Sequence, residues 1–219
     1  MKKLLIIPLL FLLAGCGKET VLQSAQATVN DSNSNSITVT GPMTISTNDL
    51  YSVTHKNDKL NLQLVKGRYY EDWSPSPFYG RGWSGDFQIV ITDEYGEVKS
   101  TFPLNEHFTN DLIFNDFFQI EFDDYNGDGQ ADFTIGQYGT SNGYFFKIFS
   151  ITDDDHIKEL PVSGNPELFI SAGNGRYSTK LEKIDEITIK KSSYDNSIGK
   201  DVEVTLRWDG TEFVRLDSR

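Results

Sequence analysis

Lys59-Leu60-Asn61-Leu62-Gln63-Leu64 puts an apolar residue at every second position and a polar one between. A strand turns successive side chains to opposite faces, so this run lays leucines on one face and amides on the other, the pattern of a half-buried β-strand. The same period returns in Phe87, Ile89 and Ile91 around Gln88 and Val90, and in Ile187 and Ile189 around Thr188. Val202, Val204 and Leu206 repeat it around Glu203 and Thr205. Glu94-Tyr95-Gly96, Asn126-Gly127-Asp128-Gly129 and Asp209-Gly210 lie between apolar runs, where hairpins need positive φ. No segment has the period of a long amphipathic helix. The expected fold is therefore all-β, built of antiparallel sheets with one packed and one wet face.

Three stretches are faintly alike: Ile91-Thr92-Asp93 leading to Val98-Lys99, Ile151-Thr152-Asp153 to Ile157-Lys158, and Leu206 through Gly210 to Phe213-Val214. Each is a strand, an acidic turn and a strand. They read either as decayed repeats or as the ordinary punctuation of an all-β domain.

Composition bounds the function. With 219 residues, 37% hydrophobic, 13% aromatic and 24% charged, the chain fits one globular domain plus extensions. Its 32 acidic against 20 basic side chains, a formal net charge of -12 with no Lys/Arg stripe, would repel phosphate backbones, so nucleic acid is not an expected partner. A single cysteine forms neither an internal disulfide nor a CxxC metal site.

Lys2 and Lys3 precede an apolar run from Leu4 to Leu13 that ends in Ala14, Gly15 and Cys16. The run is too short for a bilayer core that needs about 20 apolar residues, and its layout is that of an export signal. Leu13-Ala14-Gly15-Cys16 resembles the lipobox of bacterial lipoproteins. The resemblance implies cleavage before Cys16 and diacylglyceryl attachment to its sulfur, hence anchoring at a membrane surface without spanning. The expected organisation is a signal peptide over 1–15, the lipidated cysteine and a flexible tether over 16–36, and a β domain over 37–219. The tether, rich in Ser, Asn, Gln and Thr, would hold the domain on the order of 25 Å from its anchor, in an extracytoplasmic position.

Asp124-Tyr125-Asn126-Gly127-Asp128-Gly129-Gln130-Ala131-Asp132 matches DxNxDGxxD. A hard cation such as Ca²⁺ takes six to eight oxygens, and a loop with carboxylate or amide oxygens at positions one, three and five can wrap them around one point. Asp124, Asn126 and Asp128 fill those positions, Gly129 stands at the sharp turn, Gln130 offers its backbone carbonyl, and Asp132 serves directly or through water. Position twelve is Ile135 rather than Glu and the exit Phe133-Thr134-Ile135-Gly136 is strand-like, so this is not an EF-hand. The segment resembles the calcium loop of FG-GAP and VCBS repeats, which implies a bound structural Ca²⁺. It differs in being a single copy without a Phe-Gly or Gly-Ala-Pro motif, so the resemblance does not extend to a closed propeller. The alternative is an acidic hairpin without metal, since Asn-Gly and Asp-Gly each favour tight turns.

Other signals carry less. Gly80-Arg81-Gly82-Trp83-Ser84-Gly85 is formally GxGxxG, but Ser74-Pro75-Ser76-Pro77 precedes it and a strand follows, so it reads as a loop and not as a dinucleotide site. Tyr69, Tyr70, Trp73, Phe78, Tyr79 and Trp83 crowd the same region. Exposed, Trp73, Tyr79 and Trp83 would bind a ligand such as a glycan; folded back, the rings would form a satellite core, which is the preferred reading. His55, His107 and His156 have no metal-ligand spacing, and no nucleophile elbow occurs. The expectation is an all-β sandwich or open, propeller-blade-like arrangement acting as a non-catalytic, calcium-stabilised module of the cell envelope, with an envelope protein or glycan as partner. A carbohydrate binder using the stretch 69–83 and a hydrolase without a local motif are the alternatives.

Overall fold

The computed structural model describes residues 27–28, 36–171 and 176–216; Cys16 and the expected signal peptide lie outside them. Three antiparallel sheets joined by hairpins make up the fold, and none closes into a barrel. Among the described residues no helix is long and apolar enough to cross a membrane.

The first sheet contains β1 (Ala27–Thr28), β2 (Ser36–Val39), β3 (Met43–Asp49), β4 (Lys59–Asp72), β5 (Gly80–Thr92), β6 (Val98–Pro103) and β7 (Leu112–Phe114). Strand β1 falls inside the stretch read as an unpatterned tether, and pairs with β2. The long β4–β5 hairpin is the spine. Strands β3 and β6 flank its Lys59–Leu64 and Gln88–Thr92 half, while β2 and β7 flank its Gly67–Tyr70 and Trp83–Gly85 half.

A pair of glycines divides the two halves. Gly67 and Gly85 face each other across β4 and β5, beside a register shift between Leu64 and Lys66. Gly67 has φ +155° and a Cβ there would lie 2.1 Å from the Ser84 carbonyl oxygen; Gly85 has φ +145° and its Cβ would meet the Lys66 carbonyl oxygen at 2.2 Å. The backbones approach so closely that no side chain fits, and the bulge lets the ribbon bend at that point. Residues Gly80 to Gly85, read from sequence as a loop, are thus the first part of β5.

The second sheet holds β8 (Phe122–Asp123), β9 (Ala131–Thr140), β10 (Gly143–Ile151), β11 (Ile157–Leu160) and β12 (Leu168–Ile170). The third holds β13 (Glu182–Asp185), β14 (Thr188–Asp195), β15 (Lys200–Trp208) and β16 (Phe213–Arg215). The three similar stretches are the β5–β6, β10–β11 and β15–β16 hairpins. Their turns share a device: Asp93 Oδ1 accepts the N–H of Tyr95 and Glu97, Thr152 Oγ1 that of His156, and Asp209 Oδ1 those of Thr211 and Glu212.

Two cores meet in the second sheet. Leu60, Leu62, Leu64, Phe87, Ile89 and Ile91 of the first sheet pack with Phe133, Ile135, Phe149 and Ile151 of the second. The alternate residues Phe146 and Ile148, with Leu160 and Leu168, pack instead with Ile189 and Leu206 of the third sheet and Phe213. The second sheet is therefore packed on both faces, unlike the expected single wet face, and its strands read as nearly unbroken apolar runs for that reason. An ion network also joins first and second sheets: Lys99 Nζ lies 2.6 Å from Asp58 and 2.7 Å from Asp155, and Lys56 Nζ 2.7 Å from Asp155.

Because the methyl of an alanine at either position would press on the opposite backbone, Gly67→Ala and Gly85→Ala should each cost about 2 kcal/mol or more. The double variant should cost less than the two together, since both relieve themselves by parting the same strands. Urea unfolding checks this; a Gly67→Ala midpoint equal to wild type would contradict the close approach.

Candidate metal centre between the second and third sheets

The acidic segment forms the hairpin between β8 and β9, where Phe122 pairs with Phe133 and Asp123 with Asp132. Its oxygens are held by its own backbone. Asp124 Oδ1 accepts the Gly127 N–H at 2.7 Å and Oδ2 the Gly129 N–H at 3.0 Å. Asn126 Oδ1 accepts the Asp128 N–H at 3.2 Å, and Asp128 Oδ1 the Gln130 N–H at 2.9 Å. Asp132 Oδ2 reaches back to the Tyr125 N–H at 2.8 Å. Four of the five residues expected to ligate are thus drawn toward one loop by successive N–H groups, the geometry that alternate Asx residues give a tight turn. The Gln130 side chain lies 3.4 Å from Ser150 Oγ.

Asp132 differs from the others. Its side chain is fully buried, and Oδ1 has no hydrogen-bond partner among the described residues. Burial, with the Asp128 and Asp124 charges adding to it, pushes its carboxyl up to about 7, although Ser150 and the Tyr125 N–H pull the other way. A buried carboxylate with one oxygen unmatched is costly, and a counter-charge or a proton must balance it.

Cations stand outside the loop. Lys180 Nζ lies 2.8 Å and Lys183 Nζ 3.5 Å from Asp123, Lys158 Nζ lies 3.5 Å from Asp128, and Lys183 also donates to the Asp124 carbonyl. Burial alone would raise the Asp123 carboxyl, but Lys180, the Asp124 N–H and Lys183 together hold it below its ordinary value. Among the described residues, no Lys or Arg pairs with Asp124 or Asp132.

The loop is clamped to the third sheet. Tyr125 is wholly buried in the second core and its hydroxyl accepts the Leu181 N–H at 3.2 Å. Burial keeps that hydroxyl protonated far above the ordinary tyrosine range. At Gly127, φ +75°, a Cβ would lie 2.7 Å from Ile187 Cγ2, so the loop tip rests on the β13–β14 turn. Thr134 Oγ1 exchanges hydrogen bonds with the Thr179 backbone at 2.7 and 2.8 Å.

Among the described residues, no three His, Cys, Asp or Glu side chains gather closely enough to hold a metal as they stand. The oxygen set here includes an amide and a backbone carbonyl, and its fit to a hard cation rests on the unpartnered Asp132 oxygen at the base of a loop of fixed acceptors. Of the three aromatic candidates, Trp73 and Tyr79 meet and Trp83 stands apart. Trp83 is 3% exposed in the first core, opposite Tyr69, whereas Trp73 and Tyr79 are 60% and 54% exposed. The expected packing role fits Trp83 and not Trp73.

Sequence reasoning missed Tyr125 and the lysines. An aromatic at the second position of an acidic loop was the one visible signal. It also missed a charged cluster in which His107 Nδ1 lies 2.6 Å and Lys147 Nζ 2.7 Å from the Glu159 carboxylate, with Lys147 buried. No protein-family model matches the chain, and neither a curated protein nor a solved structure matches it.

In chelator, a carboxyl raised from 3.8 to about 7 keeps its proton in the fold over a range where the unfolded chain has lost it. The stability due to Asp132 is full below about pH 4 and lost as pH rises to about 7, on the order of 1 kcal/mol per pH unit. Asp132→Asn should lack that slope. Urea midpoints across this range check it; equal slopes in wild type and variant would contradict the buried, unmatched carboxyl.

Proposed function

We propose that the chain is an exported, lipid-anchored β protein of the cell envelope whose β8–β9 loop binds a structural Ca²⁺, and that it acts as a non-catalytic binding or structural module. The observation that carries the metal reading is the buried Asp132 carboxylate, with one oxygen bound to the Tyr125 N–H and the other unpartnered. Asp124, Asn126, Asp128, the Gln130 carbonyl and Asp132 would hold the ion. When bound, Ca²⁺ supplies positive charge to three carboxylates that otherwise repel one another. The chain's own residues do the rest: backbone N–H groups aim the oxygens, and Tyr125 and Gly127 transmit the loop's position to the third sheet. Without a bidentate residue at position twelve the affinity is on the order of 10⁻⁴ to 10⁻³ M, suited to an extracellular module. The export and anchoring part rests on the lipobox-like run ending in Cys16.

Calcium at tenfold saturation should stabilise the fold by about 1.4 kcal/mol, raising Tm by about 3 to 6 °C for a domain of this size. Asp128→Ala should remove that increment while costing about 1 to 2 kcal/mol in chelator, since it loses the hydrogen bonds from the Gln130 N–H and the Asn126 amide and one exposed ion pair. Magnesium should substitute poorly because it keeps its waters and demands octahedral geometry. Calorimetry without calcium heat at millimolar concentration, with a calcium-independent Tm, would leave an acidic hairpin.

For the anchor, a fatty-acid analogue fed to cells expressing the chain should label the wild type and leave Cys16→Ser unlabelled. Full labelling of Cys16→Ser would overturn the lipoprotein reading.

A further inference from the structure

The turn end of the β4–β5 hairpin carries a second arrangement, on the first sheet and independent of the calcium reading. Asp72 pairs with Gly80, and residues 73–79 connect them. The exposed rings of Trp73 and Tyr79 meet edge to face with centroids 5.3 Å apart. Each is the chain neighbour of a residue lining a cavity of about 370 Å³, whose walls include Arg68, Tyr70, Glu71, Asp72, Ser76 and Phe78.

The walls are held in place. The Tyr70 ring lies against Gly82, where a Cβ would come within 2.5 Å of it, and the Arg68 guanidinium stands 5.2 Å from the ring centroid. Arg68 Nε donates to Ser84 Oγ at 3.1 Å, and Phe78 packs on Tyr138 with centroids 5.4 Å apart. Burial raises the Tyr70 hydroxyl above its ordinary value, so it stays a donor. The Ser74 N–H, bonded to Asp72 Oδ1 at 2.9 Å, holds Asp72 below its ordinary value, so it stays an ionised acceptor.

The lining therefore mixes one guanidinium with two carboxylates, a phenol and the hydroxyls of Ser36 and Ser76, beside ring faces; of the carboxylates Glu71 already accepts the Tyr69 hydroxyl at 2.6 Å, and Asp72 keeps an oxygen for a ligand. An anion would meet Asp72, a cation would meet Arg68, and a lipid tail would meet too many polar groups. A neutral ligand with many hydroxyls and an apolar C–H face satisfies all of them: hydroxyls pair with carboxylate and guanidinium, and the C–H face lies on an aromatic ring. We propose that this end of the hairpin binds a neutral oligosaccharide, one residue in the cavity and the next on Trp73 and Tyr79. Trp83, buried beneath, serves as packing and not as a contact.

The test uses the full chain in detergent on an array of neutral and acidic glycans, followed by titration calorimetry with chitotetraose, cellotetraose and an acidic tetrasaccharide, and by sedimentation with phosphatidylglycerol vesicles. The expected result is saturable binding of a neutral oligosaccharide, weakened at least about tenfold, or 1.4 kcal/mol, by Trp73→Ala. Asp72→Asn should weaken it several-fold, and both variants should keep the wild-type Tm because neither side chain is buried. Absence of neutral-glycan binding, binding that survives Trp73→Ala, or a preference for the acidic glycan or the vesicles would overturn the proposal.

Discussion

The Asp132 carboxylate lies where the second sheet is covered on both faces, and it has no surface through which to reach water. Residues on either side of it, Ala131 and Phe133, belong to the core shared with the first sheet. Behind the loop, Tyr125 belongs to the core shared with the third. A charge in such a place needs partners, and the first is the backbone N–H of Tyr125. That bond closes the loop and seats the Tyr125 ring, whose hydroxyl then takes the Leu181 N–H. The acidic hairpin and the third sheet are thereby one mechanical unit, and the second oxygen of Asp132 is where a cation would complete it.

The two candidate ligand sites are built on opposite logic. At the acidic β8–β9 loop, backbone N–H groups fix the acceptors and burial supplies the electrostatic demand. At the end of the β4–β5 hairpin, charges of both signs stand near one another beside exposed rings, so no single ionic partner is favoured and shape with hydroxyl chemistry must decide. The glycine pair Gly67 and Gly85 separates that end from the leucine-rich half that packs on the second sheet. The chain can thus place polar, aromatic chemistry on the same two strands that form the main core.

Much of this was legible in the alternation of residues. Leu60, Leu62 and Leu64 pack inward as their period requires, and the hairpins fall at the Gly- and Asp-rich turns. The two-sided burial of the second sheet was not, because a continuous apolar run such as Phe145 to Ile151, broken only by Lys147 and Ser150, has no period from which to count covered faces. GxGxxG was misread as a loop because the prolines before it end at Pro77, three residues short of the strand; Gly82 and Gly85 are there for the Tyr70 ring and the Lys66 carbonyl. Trp73 and Trp83 are chemically identical, and cross-strand pairing with Tyr69 on one side and Phe114 on the other buries the second. At the acidic loop the spacing of oxygens was readable, whereas Lys158, Lys180 and Lys183 come from other segments that only the fold brings near.

The central claim is that the β8–β9 loop couples calcium to the third sheet through Asp132, Tyr125 and Leu181. Amide hydrogen exchange of the full chain, with calcium and with chelator, tests it most directly. The account predicts that calcium slows exchange both in the loop at Tyr125, Gly127 and Gly129 and at Leu181 and the β13–β14 turn, with both gains lost together in Asp132→Ala. Protection confined to the loop, or unchanged in either place, would contradict it.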